Sequence, residues 1–301
     1  MERLETLSVG AETFRAITAG PPGGATVLCL HGFPDVPATW RPVMDRLAEH
    51  GYRSVAPYLR GYDPSPTEGP FHLEQLTGDL LEMAAALGHP TPLYLLGHDW
   101  GAVVTYLALS EAPAAFTAAV TVAVPHPLAF LENLPLMPGQ LRRSAYMARF
   151  QLPSAEAALA ADDFREVDEL WRTWSPGWTP PAEHLRRVKD TLFRSLPAPL
   201  GYYRAVVWPP QAAVARVTGA RARERRIGVP VLYLHGDQDG CIAPDLGRGQ
   251  EKYFEEGCLS TEVLPGLGHF AQLEDPDRIA RRIIDFLARH PGAAASARST
   301  G

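Results

Sequence analysis

No apolar run in this sequence approaches the roughly 20 residues that a membrane-spanning helix needs. Cysteine is scarce. Cys29, Cys241 and Cys258 form an odd, scattered set that fits neither a disulfide framework nor a zinc pattern. Cys29 lies in an apolar stretch and reads as a small core residue. Basic patches with interleaved aromatics are missing as well. The 28 basic and 34 acidic residues leave a formal charge of -6, which favours solubility and excludes nucleic acid as an expected partner. Met1-Glu2-Arg3 opens no signal peptide, so a cytoplasmic location is expected, and no membrane partner. No internal repeat of functional weight is visible. What is plentiful is apolar mass: 46% of 301 residues, enough for one large buried core.

That mass is distributed in alternation. Phe14–Thr18, Thr26–Leu30, Arg53–Pro57, Pro92–Leu96 and Ala118–Val124 read as strands, and Val229–Leu234 and Thr261–Leu264 resume the pattern later. Between them, Leu73–Leu87 carries Leu76, Leu80, Met83, Ala84 and Leu87 on one helical face. Ala102–Leu109 reads as a further helix. The last one starts at Asp275-Pro276, a cap followed by proline at the first helical position, with Ile279, Ile283, Phe286 and Leu287 as its stripe. Strands alternating with helices predict an α/β fold, a mostly parallel central sheet flanked by helices.

A segment of different texture interrupts the alternation, from 127 to 226. It is rich in proline and aromatics, among them Tyr146, Trp171, Trp174, Trp178, Tyr202, Tyr203 and Trp208, and helical signals dominate it. Asp162 or Asp163 is expected to cap a helix with Phe164, Val167, Trp171 and Trp174 on one side, the two tryptophans packing the segment. The organisation expected is a core domain of residues 1–126 and 227–290, an inserted helical lid of residues 127–226 ending in basic Arg221–Arg226, and a disordered tail of residues 291–301.

The chemistry concentrates at strand ends, where open parallel sheets place their sites. Gly97-His98-Asp99-Trp100-Gly101 has the small-x-nucleophile-x-small pattern of a sharp strand-to-helix turn, with aspartate at its centre. A carboxylate there attacks carbon directly and leaves an alkyl ester on the protein. Asp237 and Asp239 follow a second strand end, in His235-Gly236-Asp237-Gln238-Asp239. His269 follows a third, in Gly266-Leu267-Gly268-His269-Phe270. Nucleophile, acid and histidine thus occur in the order Asp99, acid, His269, the order of α/β-hydrolases. The plain competitors are a turn carboxylate, a surface-loop histidine and lid-packing aromatics. His31, His98, His126 and His235 read as structural or loop-orienting.

With these residues in view, the chain resembles the α/β-hydrolase-fold epoxide hydrolases from about residue 10 to 290. His31-Gly32-Phe33-Pro34 resembles the family's HGxP motif and Gly97–Gly101 its GHDWG elbow; Arg60-Gly61-Tyr62 matches a further common segment. Tyr146–Pro153 and Leu200-Gly201-Tyr202-Tyr203-Arg204 resemble the lid segments that carry two ring-opening tyrosines. The resemblance implies Tyr146 and Tyr203 as lid acids, and its spacing places the triad acid three residues after Gly236, at Asp239 rather than Asp237. Tyr202 is the rival of Tyr203, and because helix neighbours point about 100° apart, only one can face the site. Asp35 stands where glutamate is commoner, and Gly201 where asparagine often is.

The implied activity is hydrolysis of a small-molecule epoxide to a vicinal diol, with water as the second reactant and no metal or organic cofactor. Asp99 would attack, His269 oriented by Asp239 would activate water, and the backbone N–H groups of Phe33 and Trp100 would form the oxyanion hole. Phe33, Pro34, Trp100 and Phe270 are expected to line the substrate pocket. A haloalkane or haloacetate dehalogenase using the same triad is the alternative, and a ligand-binding protein without turnover a third. A serine esterase is excluded, because no serine occupies the elbow. The sequence leaves homo-oligomerisation open.

Overall fold

Short β-branched and aliphatic runs become buried strands, and the stripes between them become helices laid on the sheet. The computed structural model describes residues 4–88, 93–207 and 226–292. Its strands are β1 (Leu4–Val9), β2 (Glu12–Ala19), β3 (Thr26–Leu30), β4 (Arg53–Pro57), β5 (Leu93–His98), β6 (Ala118–Val122), β7 (Val231–Gly236) and β8 (Leu259–Leu264). They form one sheet in the order β1-β2-β4-β3-β5-β6-β7-β8. β1 pairs antiparallel with β2, and β2 antiparallel with β4; every other pairing is parallel. The fold is the expected α/β type. β1 was not expected from the sequence: its exposed residues blur the alternation, as befits an edge strand.

Two apolar layers flank the sheet. One face packs α1 (Arg41–Glu49) and the C-terminal helix (Pro276–Arg289), whose Ile279, Ile283, Phe286 and Leu287 are buried as their spacing predicts. Asp275 caps that helix by accepting the Arg278 N–H at 3.1 Å. The opposite face carries α2 (Leu73–Ala86) and α3 (Trp100–Glu111).

Between β6 and β7 the described chain is helical: α4 (Pro127–Asn133), α5 (Pro138–Arg143), α6 (Ala145–Arg149), α7 (Ala155–Trp174), α8 (Ala182–Ser195) and α9 (Gly201–Val207). Two helices follow β8 in the described chain, α10 (Ala271–Glu274) and α11, the C-terminal helix Pro276–Arg289. One local expectation changes. α7 breaks at Ala161, and Asp162, Asp163 and Phe164 take left-handed backbone angles (φ 52, 54 and 58°). The two carboxylates pair with Arg165 and Lys189, while Phe164, Val167, Trp171 and Trp174 are buried as expected. Pro92, Trp208, most of Arg221–Arg226 and the expected disordered tail beyond 292 lie outside the described residues. Among the described residues, no helix is long and apolar enough to cross a membrane.

Candidate active site

Asp99 occupies the turn between β5 and α3 with φ 52° and ψ -119°, a region non-glycine residues rarely adopt. Holding it there costs on the order of 1–3 kcal/mol, supplied by the packing around it. The flanking glycines show why. A Cβ on Gly97 would lie 2.5 Å from the Gly101 carbonyl oxygen, and one on Gly101 would lie 2.4 Å from that of Leu30. Gly32 is equally constrained, since its Cβ would sit 2.2 Å from Asp99 Oδ1. The same oxygen accepts the Phe33 N–H at 2.8 Å, so one expected oxyanion donor already points at the carboxylate.

His269 stands beyond the end of β8, fully buried. Its Nδ1 lies 2.9 Å from Asp239 Oδ2, and its Nε2 lies 3.7 Å from Asp99 Oδ2. Asp239 Oδ1 accepts two backbone N–H groups, from Cys241 at 2.7 Å and Ile242 at 2.8 Å. Burial favours the neutral form of Asp239, but His269, His235 and the Ile242 N–H outweigh it and hold the carboxyl below its usual range. Burial likewise disfavours imidazolium at His269. Asp239 and Asp99 win there, and its pKa is pushed up to about 10. Asp237, by contrast, is exposed and caps the Gly266 N–H at 2.7 Å. The structure therefore brings Asp99, His269 and Asp239 together and leaves Asp237 in a turn.

The two tyrosines expected from the lid segment also converge. Tyr146 on α6 and Tyr203 on α9 are buried, with ring centroids 5.7 Å apart. Tyr203 also packs edge-on against Trp100 at 5.1 Å and Phe33 at 5.4 Å. Burial, reinforced by neighbours that include Cys241 for Tyr146 and Asp99 for both, pushes both phenols well above their ordinary pKa, so they are donors at neutral pH. The Trp100 indole and the Tyr146 hydroxyl are polar neighbours of the Tyr203 hydroxyl, yet no group meets it with hydrogen-bond geometry. The Tyr146 hydroxyl has a weak partner in Cys241 Sγ at 3.6 Å. Tyr202 points elsewhere, its hydroxyl donating to the Arg60 carbonyl at 2.5 Å.

Asp99, Trp100, Tyr146 and Tyr203 open on one cavity of about 330 Å³. Its remaining wall is almost wholly apolar: Leu73 and Val103 from the core helices, Phe130, Leu131, Leu134 and Met147 from α4 to α6 and their connections, and Val206 from α9, with Ser144 as an exception. Of the residues expected to line the pocket, Trp100 does. Phe33, Pro34 and Phe270 do not, because all are committed to packing. Phe33 sits edge-on to Phe150 and Tyr203, the Pro34 carbonyl accepts the Trp171 indole N–H at 3.0 Å, and Phe270 stacks on Trp171 at 3.6 Å.

Further groups position the site, and the backbone ones among them are not named by any side-chain pattern. The Trp174 carbonyl accepts the N–H of His269 at 3.1 Å and of Gly240 at 2.9 Å, tying both loops to α7. Gly240 is the trace of this approach, as its Cβ would lie 1.9 Å from the Thr173 carbonyl oxygen. On the other side, His98 Nε2 lies 2.9 Å from the His269 carbonyl oxygen and must carry the proton. Burial lowers the His98 pKa to about 4, which keeps it neutral. His31 is neutral for the same reason and bridges Gly32 and Leu59, in keeping with a loop-orienting role.

Residues 25–276 match the family model described as alpha/beta hydrolase fold, and the chain belongs to that family. Among its relatives is the AB hydrolase superfamily protein YfhM of Bacillus subtilis, 26% identical over 95% of this chain and 98% of the relative. Epoxide hydrolase 3 of Xenopus tropicalis is 27% identical over 91% of this chain and 74% of its own length. Among solved structures, an epoxide hydrolase of Bacillus megaterium with an inhibitor superposes with a TM-score of 0.82 at 24% identity, covering 94% of this chain and all of that one.

Proposed function

We propose that this α/β-hydrolase converts an epoxide with an apolar substituent to its vicinal diol, through a hydroxyalkyl ester on Asp99. One observation carries the reading: a carboxylate and two buried phenols line the same cavity, and the Tyr203 hydroxyl is left without a partner. A buried hydroxyl without a bond costs about 1–3 kcal/mol, so its retention suits a group that bonds a ligand. Relatives named epoxide hydrolases support the same choice.

An epoxide oxygen becomes an alkoxide as the ring opens, and the two phenols donate hydrogen bonds to it, one delivering its proton. Asp99 attacks the carbon from the opposite side. The Phe33 N–H on its Oδ1 fixes the carboxylate, leaving Oδ2 towards His269. Once Asp99 is esterified its charge is gone, and with it one of the two carboxylates that hold the proton on His269. The imidazolium then gives up that proton more readily, and it restores the phenol that ring opening left as phenolate. Neutral His269, held by Asp239, takes one proton from water, which attacks the ester carbonyl of Asp99. The Phe33 N–H, already on that oxygen, and the Trp100 N–H stabilise the oxyanion. Collapse of the intermediate breaks the acyl–oxygen bond, the second water proton passes to the leaving alkoxide, and the diol departs from a regenerated Asp99 carboxylate. Residues 127–226 act as the lid of a core formed by 1–126 and 227–290, supplying the phenols and most of the apolar wall. The near absence of charge around the cavity disfavours ionic substrates.

Trapping tests the proposal. In His269→Gln, Asp99 is alkylated but its ester persists, so mass spectrometry of the variant with a panel of terminal, styrene-type and internal epoxides finds an adduct of substrate mass on Asp99. An adduct on another residue refutes the assignment. Halide release from haloalkanes or fluoroacetate, with no diol from any epoxide, would replace the reaction by dehalogenation.

A further inference from the structure

Gln140, on helix α5, is 1% exposed, and both ends of its amide bond one loop. Its Nε2 donates to the Cys241 carbonyl at 2.7 Å and to Ser144 Oγ at 3.0 Å, and its Oε1 accepts the Ala243 N–H at 3.0 Å. Other polar groups of the loop are paired as well. The N–H groups of Cys241 and Ile242 go to Asp239 Oδ1, and the Ile242 carbonyl meets His235 Nε2 at 3.0 Å. One turn along α5, Arg143 donates to the Asp239 carbonyl at 2.5 Å. The segment carrying the acid is therefore gripped from inside by the acid and from outside by a lid glutamine. Its Cys241 side chain rests on the Tyr146 hydroxyl, and Ile242 lines the cavity.

We propose that Gln140 is a positioning residue that locks the Asp239 loop to the lid, so that Tyr146 and the Asp239–His269 pair keep one mutual geometry. A backbone carbonyl and an N–H two residues apart match the two ends of a primary amide. A carboxylate supplies only the acceptor, and an aliphatic side chain supplies neither. Since both backbone groups are buried, removing the amide leaves them unsatisfied and loosens the loop and Tyr146 together. The kinetic consequence rests on the epoxide-opening reading; the grip on the loop does not.

Two readouts keep these apart. The first is alkylation of Cys241 by N-ethylmaleimide, followed by peptide mass spectrometry with partly exposed Cys258 as internal reference. Gln140→Ala raises the Cys241 rate relative to Cys258 by about tenfold or more, as loss of two buried hydrogen bonds implies. The second is steady-state turnover of the best epoxide in the panel: kcat falls by about tenfold or more, the scale expected when buried hydrogen bonds that hold a reacting geometry are lost, while KM changes less. Gln140→Glu provides a control that keeps the fold's volume. Its carboxylate cannot donate to the Cys241 carbonyl, but its protonated form can, so the ratio of its kcat to that of the unaltered enzyme rises as pH falls through the titration of this buried carboxyl, which burial moves above the ordinary carboxyl range. Unchanged Cys241 labelling in both variants, or a flat kcat ratio across pH, overturns the proposal. If the unaltered enzyme opens no epoxide the functional reading fails, and the labelling alone decides the role of Gln140. If Gln140→Ala does not fold, labelling of Gln140→Glu at neutral pH takes its place.

Discussion

His269 Nε2 faces Asp99 Oδ2 across 3.7 Å, a gap wider than a hydrogen bond. Charge acts across it nonetheless. With Asp239 on its other nitrogen, the imidazole sits between two carboxylates, and its pKa rises from 6.5 to about 10 despite complete burial. A pKa in that range favours imidazolium at neutral pH, and in the proposed reaction esterification of Asp99 would remove one of the two charges that hold the proton.

This coupling has a stability signature. A folded-state pKa raised above the unfolded one contributes stability that is fully present below the unfolded value and is lost as pH rises through the folded value. For His269 the window runs from 6.5 up to about 10. The difference in unfolding free energy between the unaltered protein and His269→Gln shrinks as pH is raised across that window, measured by urea titration at each pH. A difference that grows instead would reverse the charge assignment.

Tyr203→Phe separates function from stability. Removing a buried hydroxyl that has no partner relieves a cost of about 1 kcal/mol or more, so the melting temperature holds or rises. Ester formation with an epoxide slows by roughly 10²–10⁴, the usual contribution of a positioned acid. Calorimetry and rapid-quench kinetics on one preparation check both halves.

The two aspartates of the β7–β8 connection respond unequally. Asp239→Asn deprives His269 of its partner at 2.9 Å, and turnover drops by up to about 10⁴. Asp237→Asn keeps an acceptor for the Gly266 N–H and leaves kcat within about twofold, consistent with a surface substitution. Initial rates of the two variants settle it.

Gly32→Ala places a methyl group where Asp99 Oδ1 lies. Overpacking of this kind costs about 1–3 kcal/mol, and here the yielding group is the proposed nucleophile, so ester formation falls out of proportion to stability. Trapping yield in the Gly32→Ala, His269→Gln double variant, set beside its melting temperature, measures the ratio.

The fold was legible because its signals are local. Apolar runs at Thr26–Leu30 and Arg53–Pro57 match β3 and β4 residue for residue, and the stripe beginning at Leu73 matches α2 to within a residue. β1 escaped notice as a half-exposed edge strand. So did the left-handed break at Asp162–Phe164, since aspartates before an apolar stripe look like a cap and the competing pairings with Arg165 and Lys189 are set by packing. Phe33, Pro34 and Phe270, expected in the pocket wall, pack beside the cavity for a related reason: sequence adjacency to Asp99 or His269 does not say which way a side chain faces.

By itself the sequence determined the carboxylate in the elbow, the glycines that let the chain turn there, and the chain order of nucleophile, acid and histidine. These depend on residue identity and short spacing. Family resemblance implied Asp239 over Asp237 and Tyr203 over Tyr202, but only the tertiary structure brings Asp239 to His269 and Tyr203 to the cavity that Asp99 lines, and only it decided that Gln140 and the Trp174 carbonyl hold the loops. Each of those choices joins segments far apart in the chain. Their relative orientation is set by how the helices between β6 and β7 pack on the sheet, and no local pattern encodes it.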